Sequence, residues 1–190
     1  MRILIYGFGP YRQFRDNVTE KIVRGLPKQR GLKKIVFPVR FSKAQLTRVV
    51  KDFRPDVVLG LGQCSRGTLL RQERRAVNRR RNSKSEKPRS IVGAGAPKIF
   101  TNLELNLTRH AKVSRDAGDY VCNYSMYVML DYIEHRKLPI LYGFVHVPHD
   151  YDPEKALAVL CRALWASRSD LGSKRSSRSS SSKRFRPVPE

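Results

Sequence analysis

The chain has 190 residues, of which 39 are Lys or Arg and 16 are Asp or Glu, giving a formal net charge of +23. Hydrophobic residues make up 40%, enough for one domain-sized core. No apolar run approaches the roughly 18–20 residues that span a bilayer, so a membrane protein is not expected.

The charge is partly local. Residues 65–90 hold ten Lys/Arg against two acids, and residues 167–190 hold seven against two. Such clusters attract polyanions in a salt-dependent way, so weak electrostatic nucleic-acid binding is an expectation. The three cysteines, Cys64, Cys122 and Cys161, form neither CxxC pairs nor a Cys/His cluster. That pattern argues against a disulfide framework and against a zinc module.

Taken in chain order, Ile3 to Gly7 reads as a buried first strand rather than a signal peptide, and a cytoplasmic location is expected. Ile22, Val23 and Leu26 predict a helix over 17–26, with Asn17 or Thr19 as its cap. Lys34 to Val39 is a β-branched run and predicts a strand. Ser42 can cap a helix over 43–53 that shows Leu46, Val49, Val50 and Phe53 on one face. Asp56 to Leu61 predicts a buried strand.

Residues 68–78 mix Leu69, Leu70, Ala76 and Val77 with charge and read as an irregular strand. Residues 79–98 are polar, basic and punctuated by glycine and proline, which predicts a long loop. A short helix is expected over 103–110 and a longer one over 120–134. Ile140 to Val147 predicts a further strand, and Pro153 opens a last helix carrying Ala156, Leu157, Val159, Leu160, Ala163 and Leu164. Alternating strands and helices imply a single three-layer α/β/α domain over 1–166, with a mostly parallel twisted sheet. The Ser/Arg-rich composition of 167–190 predicts a disordered basic tail.

Two residues occupy places suited to chemistry. Cys122 stands where a short segment, Gly118 to Val121, gives way to a helix, and a helix N-terminus favours a thiolate. His146 stands at the C-terminal end of a buried strand, the edge at which open α/β sheets bind ligands. Read singly, Cys122 is a small core hydrophobe, His146 is as often structural as catalytic, and Glu73 is a solvated or paired acid.

Their surroundings shift that balance. The Gly7-Phe8-Gly9-Pro10-Tyr11 segment resembles the GFxPF signature of the pyroglutamyl peptidase I family. Pro55 to Gln63 resembles its PDxVxxxGQ stretch. Ten residues beyond Gln63, Glu73 opens Glu73-Arg74-Arg75-Ala76-Val77-Asn78, similar to ERxAxN. Gly118 to Asn123 resembles GxYxCN, and Phe144 to Pro148 resembles FxHVP. All five occur in the family's order.

The resemblance implies a cysteine peptidase that removes N-terminal pyroglutamate from peptides through a thioester. It implies Cys122 as nucleophile, His146 as general base and Glu73 as the acid that orients the histidine. It implies Phe8, Tyr11, Gln63, Tyr120 and Val121 as the residues that hold the pyroglutamyl ring. Such chemistry calls for no metal or other cofactor, and a homo-oligomer is carried over as an expectation. An arginine that the family places about ten residues beyond its glutamate falls on Ser83 here, with Arg81 and Lys84 the nearest cations. The competing expectation is a catalytically impaired relative that binds nucleic acid through its basic clusters.

Overall fold

The first strand and the helix after it are joined by side chains that the sequence supplies for the purpose. In the computed structural model, which describes residues 1–179 apart from 12, 13 and 66, strand β1 spans Ile3–Phe8 and helix α1 spans Val18–Gly25. Asn17 is the N-cap, its Oδ1 accepting from the Thr19 N–H at 3.0 Å, and its Nδ2 donates to the Gly9 carbonyl. Thr19 Oγ1 accepts from the Phe8 N–H at 3.0 Å. A Cβ on Gly7 would lie 2.9 Å from the Thr19 carbonyl oxygen, so only glycine lets the helix pack this close.

The chain continues through β2 (Leu32–Phe37), α2 (Lys43–Phe53), β3 (Val57–Cys64), β4 (Leu70–Glu73), β5 (Arg75–Val77), β6 (Lys98–Phe100), β7 (Ala111–Ser114), α3 (Val121–His135), β8 (Leu141–Pro148) and α4 (Pro153–Ser179). Six strands form the main sheet in the order β2-β1-β3-β8-β4-β7, and β5 pairs with β6 in a separate antiparallel ribbon. β2, β1, β3 and β8 are mutually parallel, while β4 runs antiparallel to β8 and parallel to β7.

Both sheet faces are covered, so the central strands read as continuous apolar runs. One core gathers Leu4, Tyr6, Val58, Tyr142 and Phe144 with residues of α2 and α3. The other gathers Ile3, Ile5, Leu59, Leu61, Val145 and Val147 with α1 and α4. The α/β/α layering and the mostly parallel sheet follow the sequence expectation. Phe8, Gln63 and His146 all sit at or near the carboxyl ends of parallel strands, on one edge of the sheet.

Several elements depart from that expectation. The strand expected over 34–39 begins two residues earlier and ends at Phe37, where Pro38 lacks the N–H that the ladder needs. The region 103–110 is not a helix. Leu103, Leu105 and Leu107 are buried while Asn102, Glu104 and Asn106 are exposed, a two-residue alternation, and only a 3-10 turn at Thr108–His110 follows. Residues 68–78 divide at Arg74 into β4 and β5, which belong to different sheets. β7 is a short edge strand whose Val113 is 65% exposed.

The basic loop after Asn78 is tied down. Asn78 Oδ1 accepts from the N–H groups of Ile91 and Val92, and its Nδ2 donates to the carbonyls of Val92 and Gly95. At the C-terminus helix α4 runs on to Ser179. The rest of the expected disordered tail, 180–190, lies outside the described residues. Among those described, no helix is long and apolar enough to cross a membrane.

Helix α3 is clasped onto β5 by Asn123, which is fully buried. Its Oδ1 accepts from the Val77 N–H at 2.9 Å, and its Nδ2 donates to the carbonyls of Val77 and Arg79 at 2.9 and 2.8 Å. Asn123→Leu keeps the volume but removes three hydrogen bonds and leaves the Val77 N–H without its acceptor, while the Val77 carbonyl keeps a bond from the Arg79 N–H. At about 1–3 kcal/mol for a buried group left unpaired, it should destabilise the protein by roughly 1–3 kcal/mol. Urea unfolding checks this, and a change below about 0.5 kcal/mol, the size typical of a neutral surface substitution, would contradict it.

Candidate active site

Cys122 is the second residue of α3, and the N-cap Tyr120 is extended and offers no side-chain cap. The first N–H groups of the helix therefore have no intrahelical acceptor and point at the sulfur's surroundings. The turn that delivers the helix uses Gly118 at φ +78 and a bond from its N–H to Asp116 Oδ1 at 3.0 Å. The first helical turn is pinned from below. Ser125 Oγ donates to the Cys122 carbonyl at 2.8 Å, Tyr6 donates to Ser125 Oγ at 3.1 Å, and the Tyr6 and Tyr142 hydroxyls are 2.7 Å apart. Burial drives the phenols of Tyr6 and Tyr142 far above their ordinary value, so this chain of hydroxyls stays neutral.

The strand beneath leaves room for the sulfur. Gly62 pairs in register with His146 on the neighbouring strand. A Cβ on Gly62 would lie 2.7 Å from Cys122 Sγ and 2.8 Å from Phe144 Cζ. The missing side chain is thus the seat of the thiol, directly beside the histidine. Gly60, two residues earlier, leaves similar room for Phe144 and Tyr6.

His146 is buried on β8 and its Nδ1 is 2.8 Å from Glu73 Oε1. A carboxylate only accepts, so Nδ1 carries the proton and Nε2 is left for the sulfur. Glu73 is fully buried on β4, and its Oε2 has no partner among the described residues. Burial alone would lower the His146 pKa. The charge of Cys122, a hydrogen bond to Cys122, and the bond and charge of Glu73 outweigh it, raising the imidazole from 6.5 to about 10. A thiol, an imidazole and a buried carboxylate so arranged can form an imidazolium–thiolate pair, the activated state of a sulfur nucleophile.

These groups open onto a cavity of about 570 Å³. All five residues expected to hold a ring substrate line it: Phe8, Tyr11, Gln63, Tyr120 and Val121. Tyr11 and Tyr120 stand with ring centroids 5.3 Å apart and share a hydrogen bond between their hydroxyls. Gln63 Oε1 accepts from the Val18 N–H at 2.8 Å, so its NH2 is the group left to face a ligand.

The structure adds residues that the sequence reading passed over. Phe14, Val39, Ser65, Arg71 and Asp116 also line the cavity. Cys64 is buried and lines it as well. Cys161 packs against the α1/α4 core, where burial pushes its thiol up. Neither Arg81 nor Lys84 takes a place in the cavity lining. Arg81 is held by Asp119, with Nε 2.7 Å from Oδ2 and its N–H donating to the Asp119 carbonyl. The residue two before Glu73 carries no motif of its own, so only the pairing of β4 with β8 reveals Arg71.

The raised pKa of His146 is linked to stability. A group raised on folding contributes fully below its unfolded value, near 6.5, and that contribution is lost as pH rises through about 10. Thermal unfolding of the unaltered protein should therefore lose more stability across this window than that of His146→Gln, which cannot titrate. Parallel profiles for the two proteins would contradict the pairing.

The comparisons with known proteins agree with this geometry. The sequence pattern of the pyroglutamyl peptidase family matches residues 1–160. Pyrrolidone-carboxylate peptidase 1 of Saccharolobus solfataricus is 29% identical over 168 aligned residues, covering 78% of this chain and 79% of that protein. Pyrrolidone-carboxylate peptidase 1 of Caldanaerobacter subterraneus subsp. tengcongensis is 31% identical over 178, covering 83% and 86%. The solved structure of pyrrolidone carboxyl peptidase from Thermococcus litoralis superposes with a TM-score of 0.81 at 21% identity, covering 100% of this chain and 99% of that one, which establishes the shared fold. With a family match over most of its length, the chain belongs to the pyroglutamyl peptidase family.

Proposed function

We propose that the chain is a cysteine peptidase that removes N-terminal pyroglutamate from peptides, with residues 1–166 as the catalytic unit. The observation that carries the reading is the 2.8 Å bond between Glu73 and His146 beside a sulfur seated at a helix N-terminus.

The lactam lies against the wall formed by the Tyr11–Tyr120 pair and against Phe8 and Val121. The free NH2 of Gln63 donates to the ring carbonyl. The Cys122 thiolate attacks the pyroglutamyl carbonyl carbon, forming a C–S bond. The oxyanion is met by N–H groups at the start of α3, that of Cys122 among them. As the C–N bond breaks, His146 Nε2 gives its proton to the leaving amine. His146 then takes a proton from water, the hydroxide attacks the thioester, and pyroglutamate leaves with the thiol restored. Glu73 keeps the proton on Nδ1 and stabilises the imidazolium throughout.

The competing reading, a basic nucleic-acid binder without peptidase activity, is not favoured. Part of its motivating charge already has partners on this chain: Arg79 and Arg81 reach Asp119, and Arg80 lies 5.1 Å above the Phe41 ring.

A pyroglutamyl peptide amide assayed under reducing conditions tests the proposal. Cys122→Ala should abolish release of pyroglutamate. Glu73→Gln offers Nδ1 a neutral acceptor and should lower kcat by about two to four orders of magnitude. Failure of the unaltered protein to turn over any such peptide would contradict the proposal. Gly62→Ala must push the sulfur off its seat, and a displacement near 1 Å should lower kcat/KM by about 10²-fold. Full activity in that variant would contradict the placement of Cys122.

A further inference from the structure

The strand order gives the cavity two flanks. Phe8 and Gln63 end β1 and β3, His146 is on β8, and β4 lies on its other side. A lactam held by Phe8 and Gln63 points the scissile bond at His146, so the leaving amine extends toward β4, about 4.8 Å farther along the sheet. Arg71 stands there. It is the register partner of His146 in the antiparallel β4/β8 pair, and such partners project from the same sheet face. Glu73, two residues on, projects from that face too and does reach the histidine.

Arg71 lines the cavity and is its only described arginine or lysine. Its Nε is buried with no hydrogen-bond partner. A buried cationic N–H without a partner is an unusual state that a ligand anion relieves. Among the described residues Arg71 forms no ion pair with Glu73, whose own Oε2 is also unpartnered there. Asp116, the one other charged group on this flank, is exposed, and its carboxylate already accepts from the Gly118 N–H.

We infer that Arg71 binds a carboxylate on the first residue after pyroglutamate, so that the protein favours substrates with a negative charge there. The inference rests on the peptidase reading. A pyroglutamyl dipeptide supplies the charge as its terminal carboxylate, and a longer peptide supplies it as an Asp or Glu side chain. The planar guanidinium, with several donors in one plane, suits either.

Three substrates separate the sources: pyroglutamyl-alanine, pyroglutamyl-alanine amide and pyroglutamyl-glutamate α-amide. The unaltered protein should turn over at least one of the two acids with a kcat/KM about tenfold above the neutral amide, the size expected of one charge-assisted contact. Which acid is preferred identifies the source. In Arg71→Gln the acid-to-amide ratio should fall to near one, with Arg71→Lys between. A ratio near one in the unaltered protein overturns the inference while leaving the peptidase reading intact. A ratio unchanged in Arg71→Gln, with equal losses on acid and amide, also overturns it and assigns Arg71 to the reacting carbonyl or to Glu73. Calorimetric binding to Cys122→Ala reads the same contact without turnover. Acid should bind about tenfold tighter than amide, and equal binding overturns the inference even if the peptidase reading fails.

Discussion

One hydrogen bond organises this molecule: the contact between the fully buried Glu73 and the Nδ1 of His146. A carboxylate out of water is tolerated only when paired, so the strand that carries Glu73 must lie beside the strand that carries His146. In this sheet β4 meets that requirement while running antiparallel to β8. Antiparallel pairing sets Arg71 opposite His146 and Glu73 opposite Phe144, and all four side chains share one face. The diagonal from Glu73 to His146 is then short enough for a direct bond.

The remaining features converge on the other nitrogen of the ring. The sulfur reaches His146 only because Gly62 has no side chain and because α3 starts at that point. Asn123 fixes the helix from one side through three backbone bonds, and the Tyr142–Tyr6–Ser125 chain fixes its first turn from the core. These supports are neutral and fully partnered, so they hold the geometry without competing for the charge on the thiol and imidazole. The aromatic pair of Tyr11 and Tyr120 and the half-used amide of Gln63 then give the cavity walls suited to a flat, uncharged ring.

Much of this was legible in the sequence because the relevant residues lie in local patterns. Cys122, His146 and Glu73 each stand in a short motif, and the glycines at 60 and 62 stand in the strand that seats them. The long apolar strands and the capped helices were legible for the same reason: their signals span a few adjacent residues. The segment 103–110 carries a two-residue alternation of leucines, yet its leucine content suggests a helix, and packing against Gly143 holds it extended. β7 is only four residues, too short for its Ala111/Val113 alternation to stand out, and it becomes a strand by pairing with β4. Arg71 is one arginine in a basic stretch, and its place beside the histidine comes from a register set by residues far along the chain. The arginine expected near Ser83 was sought by spacing alone, and the nearest candidate, Arg81, is committed to Asp119.

The account stands on Cys122 forming a covalent acyl intermediate with His146 as its proton partner. Acid quenching during turnover of a pyroglutamyl peptide, followed by mass analysis of the digested protein, reads this directly. The account predicts one pyroglutamyl group on the fragment that contains Cys122, absent from Cys122→Ala. Turnover that persists in Cys122→Ala, or an acyl group found on a different residue, would contradict it.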